Sequence, residues 1–137
     1  MTTAKAPIKT LSEDEELYIE SEQKLFELYK HRSTNIAQTQ AIEREKRMAT
    51  LTLVELEKLP SETTTYKAIG RMFITRGQDL LKDDIRSNVD YCDVELKKLQ
   101  ETRMNIQQRI EDVLNDDYKL LVYIVSDHDD YCSVLWN

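Results

Sequence analysis

Four residues in this chain readily end a helix, Pro7, Pro60, Gly70 and Gly77, and three of them fall between positions 60 and 77. Proline removes a backbone donor and clashes with the preceding turn, and glycine carries the largest backbone entropy cost. The sequence on either side of that window is therefore free to run as long, uninterrupted helix. Its composition suits such a form. With 33% charged and 7% aromatic residues and a mean hydropathy of −0.60, the 137-residue chain is poor material for a compact core but good material for an elongated helical one.

Inside the window, Glu62–Thr75 reads as β structure. Thr, Tyr, Ile and Phe are strand formers, and they crowd this stretch. A two-residue type II′ turn at Gly70-Arg71 sets a definite register, with Ile69 facing Met72, Ala68 facing Phe73, Lys67 facing Ile74 and Tyr66 facing Thr75. Both faces of such a hairpin carry apolar side chains. A lone two-stranded hairpin is marginal, and one with two open edges and two apolar faces calls for more strands. The rest of the chain offers no good strand, so those strands are expected from other subunits. The competing expectation is a hairpin folded back onto its own helices.

Three capping patterns divide the flanking sequence. Ser12-Glu-Asp-Glu15 opens a first helix, expected to run to about Met48; Thr52-Leu-Val-Glu55 opens a short helical turn closed by Pro60; Thr75-Arg-Gly-Gln78 opens a second long helix. The second helix carries a clear heptad seam. Ile85, Cys92, Leu99, Ile106 and Val113 repeat every seven residues, with Val89, Leu96 and Ile110 at the alternate position and Arg103 as its polar interruption. The register continues through Leu120 and Ile124, broken by Asp117, so this helix is expected to reach about Val125. A core arginine of this kind is expected to pair with a carboxylate and to set the register. The first helix is less regular. Tyr18 and Leu25 share a heptad position that continues as Arg32, Thr39 and Lys46, which leaves Leu28, Tyr29, Ile36 and Ile42 as a drifting apolar stripe.

The resulting layout has a disordered lead over residues 1–11, a coiled-coil helical hairpin over 12–125 with the β-hairpin at about 63–75, and a flexible acidic and then apolar tail over 126–137. Met1–Thr10 has no apolar core of a signal peptide, and the longest apolar run, Leu120–Val125, is far short of the ~20 residues of a spanning helix. No membrane partner is expected, and a cytoplasmic setting suits the two separated cysteines as free thiols. The net charge of −7 argues against a nucleic-acid partner, which needs clustered Lys and Arg. His128 among Asp127, Asp129 and Asp130 reads as solvated tail, not as a metal site. There is no phosphate loop, no nucleophile motif and no metalloprotease signature, so neither an enzyme nor a cofactor is expected, and any work done is ATP-independent.

The run Glu55-Leu56-Glu57-Lys58-Leu59-Pro60, followed by Thr65-Tyr66-Lys67-Ala68-Ile69-Gly70-Arg71-Met72-Phe73-Ile74 between two coiled-coil helices, resembles the β-class subunits of prefoldin, most of all their eukaryotic subunit-1 branch. The resemblance implies a hetero-hexamer of two α-class and four β-class subunits, whose hairpins join in an intersubunit β-barrel. It implies subunit assembly through Tyr66, Ala68, Ile69, Gly70, Met72, Phe73 and Ile74. It further implies capture of unfolded clients, notably actin and tubulin, at the helix ends near Leu11, Leu17 and Tyr18 and near Leu120, Leu121 and Ile124, with delivery to the cytosolic chaperonin. A structural or tethering coiled coil without chaperone activity is the alternative, but it gives no reason for a Thr-rich hairpin between the heptads.

Overall fold

The structure, a computed structural model, describes residues 12–135, with side chains through Ser126. Its elements follow in the order α1 (Glu13–Lys58), β1 (Tyr66–Ile69), β2 (Met72–Thr75) and α2 (Gln78–Leu135).

Helix α1 begins where the first capping pattern places it. Glu15 N–H donates to Ser12 Oγ at 3.3 Å, and Ser12 N–H donates to Glu15 Oε2 at 3.2 Å, so both halves of the box form. The helix then runs 46 residues without the expected break after Met48. The Thr52 pattern opens nothing. Thr52 Oγ1 donates to the Met48 carbonyl at 2.8 Å, as Thr50 Oγ1 does to Lys46, because inside a helix a threonine hydroxyl bonds back one turn and does not cap. Only Pro60 stops α1. Its last turn tightens, with Leu59 N–H on the Leu56 carbonyl at 3.2 Å.

Two further expectations are corrected at α2. Thr75 is the last residue of β2, paired with Tyr66, and the capping position belongs to Gly77, whose carbonyl accepts Leu81 N–H at 2.9 Å. The far end also differs. The backbone stays helical to Leu135, ten residues past Val125, where an aperiodic tail was expected. No glycine or proline follows Gly77, so nothing in the backbone chemistry ends the helix earlier.

The chain divides into two compact units, one of Ser33–Met104 and the other of the stretches up to Arg32 and from Asn105. In Ser33–Met104 the helices pair antiparallel around Leu56 and Cys92, both buried. Asn35, 4% exposed, sits in this seam and donates from Nδ2 to the Leu99 carbonyl at 3.0 Å. Arg103 meets no carboxylate there. Its Nε donates to Asn35 Oδ1 at 3.2 Å and its Nη2 to Thr39 Oγ1 at 2.9 Å, a neutral pairing in place of the expected ionic one. The carbonyl and hydroxyl oxygens satisfy the guanidinium without a second charge to desolvate.

In the other unit Ile106 and Ile110 are buried, and the buried Asp117 accepts a hydrogen bond from Ser21 Oγ. Along α1 the residues withdrawn from solvent are Asp14, Tyr18, Ser21, Leu25, Leu28, Arg32, Asn35, Thr39, Ile42, Lys46, Ala49, Leu53 and Leu56, alternating steps of four and three without drift. Tyr29 and Ile36 lie off that line, exposed, and Tyr29 instead carries the Arg32 guanidinium 5.1 Å above its ring. Polar residues therefore hold heptad positions that apolar bulk was expected to hold. Their long stems and hydroxyls fill the seam while their polar ends find partners or water.

Candidate assembly surface

The hairpin is built from its base upward. Pro60 ends α1 and its carbonyl accepts Thr63 N–H at 3.0 Å, turning the chain. Thr65 and Arg76 then close the base, through Arg76 N–H on the Thr65 carbonyl at 2.9 Å and Thr65 Oγ1 on the Arg76 carbonyl at 2.6 Å. Above them β1 and β2 pair antiparallel in the register Tyr66 with Thr75, Lys67 with Ile74, Ala68 with Phe73 and Ile69 with Met72. The register matches the sequence expectation at every position. Gly70 has a φ of 60° and, among the described residues, no other has a positive φ, the pattern of a type II′ turn.

Cross-strand partners share a face, so Tyr66, Ala68, Phe73 and Thr75 stand on one side and Lys67, Ile69, Met72 and Ile74 on the other. Lys67 reaches α2, its Nζ 2.9 Å from Asp84 Oδ2. Arg76 joins the same carboxylate, with Nη2 donating to Oδ1 at 3.0 Å and Nε 2.8 Å from Oδ2 but off line for a hydrogen bond. The hydrogen bond from Lys67, followed by that from Arg76, holds the Asp84 carboxyl below its ordinary value.

The apolar side chains stay uncovered. Phe73 is 75% exposed, Met72 67%, Tyr66 59% and Ile69 50%, Ala68 is also exposed, and Ile74 is the most shielded of the large ones at 40%. The hairpin is thus tied to its own helix by charge at one edge, and its apolar groups are not folded onto the helices. Asp84 is the residue that sequence reading missed. Its signal was the absence of any acid between Thr63 and Gln78, which leaves Lys67, Arg71 and Arg76 without a local carboxylate; Lys67 and Arg76 find Asp84.

Cys92, Ile106 and Ile110 are buried, and Ile85, Val89, Leu96, Leu99 and Val113 are half-buried between the helices. The residues expected at the helix ends separate into two groups. Tyr18, Leu120 and Ile124 are half-buried in the seam, Tyr18 also donating from its hydroxyl to Glu22 at 3.0 Å, whereas Leu17 and Leu121 are exposed. Leu11 lies outside the described residues. Val125, at the edge of the expected stretch, is exposed; not named beforehand are the exposed Ile19 and Phe26 on α1 and Leu114 and Tyr118 on α2. Leu114, Tyr118, Leu121 and Val125 follow one another at steps of four, three and four, a second helical stripe beside the seam.

Among the described residues no helix is long and apolar enough to cross a membrane, and no group of side chains is arranged to hold a metal ion.

Comparison with known proteins gives a consistent picture. A family model described as "Prefoldin subunit" matches residues 20–122. A Dictyostelium discoideum protein described as "Probable prefoldin subunit 1" is 34% identical over 101 residues, spanning 72% of this chain and 86% of that one. Prefoldin subunit 1 of Arabidopsis thaliana is 32% identical over 79 residues, spanning 58% of this chain and 62% of its own. Among solved structures, the prefoldin beta subunit from Thermococcus strain KS-1 superposes with a TM-score of 0.70 at 16% identity, over 75% of this chain and 90% of that one.

Proposed function

The chain belongs to the prefoldin family as a chaperone subunit of β-class resemblance, and we propose that it acts in a hexamer of two α-class and four β-class subunits. Its hairpin joins theirs in a β-barrel. The helices then present apolar surface to unfolded chains of the actin and tubulin class and pass them to the cytosolic chaperonin, in the cytoplasm and without ATP.

The observation that carries this reading is the uncovered hairpin. A two-stranded sheet with Phe73, Met72, Tyr66 and Ile69 all at least half exposed has unpaired edges and far more apolar surface than its own helices cover. Strands from neighbouring subunits satisfy both needs at once. Assembly accordingly falls to Tyr66, Ala68, Ile69, Gly70, Met72, Phe73 and Ile74. Client contact falls to the exposed apolar residues Leu17 and Leu121 together with Leu11, and Tyr18, Leu120 and Ile124 contribute where the seam frays. Several weak apolar contacts spread over several subunits raise the affinity for a flexible chain without any one strong site.

The test is native mass spectrometry of the chain mixed with α-class and other β-class prefoldin subunits, followed by actin aggregation assays. A defined mixed hexamer that suppresses aggregation equally with and without ATP is the expected result. A stable monomer that ignores those subunits contradicts the assembly reading. A hexamer that forms but leaves aggregation unchanged points to a tethering coiled coil instead.

A further inference from the structure

Neither strand is joined to a helix, among the described residues, by any side-chain hydrogen bond or ion pair other than that from Lys67 to Asp84. The backbone leaves the hairpin little else to hold it. On the α1 side it follows the irregular stretch Leu59–Thr65, and on the α2 side Arg76 is followed directly by Gly77, which carries no side chain to limit rotation. The Thr65–Arg76 hydrogen bonds close the base of the hairpin but do not themselves tie it to α2. Asp84 supplies that tie from two directions. It lies in the second turn of α2 and takes Lys67 from the middle of β1 and Arg76 from the β2–α2 connection on the same carboxylate.

We propose that Asp84 is a positioning residue for subunit assembly: by clamping Lys67 and Arg76 together it sets the cant of the hairpin on α2 and turns the Tyr66, Ala68 and Phe73 face outward, preformed for neighbouring strands. The face toward Asp84 carries Lys67, Ile69, Met72 and Ile74; Ile74, the cross-strand partner of Lys67, is 40% exposed while its neighbour Phe73 on the opposite face is 75%, and shielding on the Asp84 face falls off toward the turn, with Ile69 at 50% and Met72 at 67%. Shielding that is confined to the residue paired with Lys67 is what a clamp at that position produces. The gain is in association, because a docking element already in its bound orientation loses less freedom on binding. The clamp adds little to the stability of the single chain, since Lys67 and Asp84 are both about a third or more exposed and such pairs contribute little.

This inference rests on the hairpin being the assembly element, and the experiment separates the two. Association of the full chain with its partner subunits is followed by stopped-flow fluorescence for wild type, Asp84→Asn, Asp84→Glu, Lys67→Met and Phe73→Glu, alongside thermal melts of each chain alone. Asp84→Asn and Lys67→Met are expected to slow association about three- to tenfold with unchanged helix content and melting temperature. Asp84→Glu, keeping the charge, is expected to recover most of the rate. Loss of the melting transition in Asp84→Asn with a parallel loss of association would make Asp84 merely structural and overturn the proposal, as would an Asp84→Asn chain that associates at the wild-type rate while Phe73→Glu does not associate. If Phe73→Glu associates normally, the hairpin is not the assembly element and both readings fall.

Discussion

Arg103 Nη2 donates to Thr39 Oγ1 at 2.9 Å, across the seam between α1 and α2. The same guanidinium holds Asn35 Oδ1 through Nε, and Asn35 in turn holds the Leu99 carbonyl. One polar layer thus fixes the stagger of the two helices within Ser33–Met104, since sliding either helix by one heptad would leave a cation and an amide in an apolar layer.

That layer makes a double-substitution prediction. Asn35→Leu leaves the Arg103 guanidinium short of an acceptor and is expected to cost about 1–3 kcal/mol. Asn35→Leu with Arg103→Leu is expected to recover that loss or exceed wild-type stability while losing the unique stagger. Urea denaturation followed by circular dichroism measures the first. Cross-linking between engineered cysteines across the seam measures the second, and a single cross-link register in the double variant would contradict it.

The buried seam makes a second. Ile110, 2% exposed, is expected to cost about 2–5 kcal/mol on replacement by alanine. The exposed Val94 and Tyr91 on the outer side of α2 are expected to tolerate alanine within about 0.5 kcal/mol. Equal effects at the three positions would mean that the seam does not carry the stability.

Cys92 reports on the same seam by chemistry. It is 1% exposed, and burial, followed by the charges of Glu45 and Asp93, pushes its thiol above the ordinary value. The thiolate is the reactive form, so alkylation at neutral pH is expected to be slow in the native chain and fast in denaturant. The measurement uses a Cys132→Ser background so that one thiol reports. Rapid labelling under native conditions would show that the helices separate there.

Acid should act on the hairpin first through Asp84. Its folded-state value lies below the ordinary carboxylate range because Lys67 and Arg76 favour the charged form. The restraint is therefore complete above the unfolded-state value of about 3.9 and is lost as pH falls below it through the depressed folded-state value. Protection of the hairpin amides from exchange, measured from about pH 5 downward, is expected to fall in wild type and to be low and flat in Asp84→Asn.

The proposed client contact is separable from assembly at the exposed Leu17 and Leu121. Leu17→Glu with Leu121→Glu is expected to leave the hexamer intact by native mass spectrometry and to weaken suppression of actin aggregation severalfold, because multivalent contacts lose affinity together. An unchanged aggregation curve would move client contact elsewhere.

Much of this architecture is written in local pattern. The clustering of Pro60, Gly70 and Gly77 placed the non-helical window among the described residues, the Gly70-Arg71 turn dictated the strand register at all four pairs, and the heptads of α2 are legible as a period of seven. Turn chemistry and periodicity act over a few residues, so a sequence displays them directly. Helix ends were less legible. A capping pattern such as Thr52-Leu-Val-Glu55 caps only where the helix is already interrupted, and here nothing interrupted it.

What only the tertiary structure decided is which polar groups meet. Arg103 lies 64 positions from Thr39 and Lys67 lies 17 from Asp84, and no periodicity links either pair. Their meeting depends on the stagger of one helix against another and on the angle at which a hairpin leaves its base. The composition alone, with 19 basic and 26 acidic residues, permits very many pairings. Packing geometry selects one, because hydrogen bonds need close approach and good alignment and ion pairs need close approach, whereas hydrophobic burial tolerates many arrangements of the same apolar stripe.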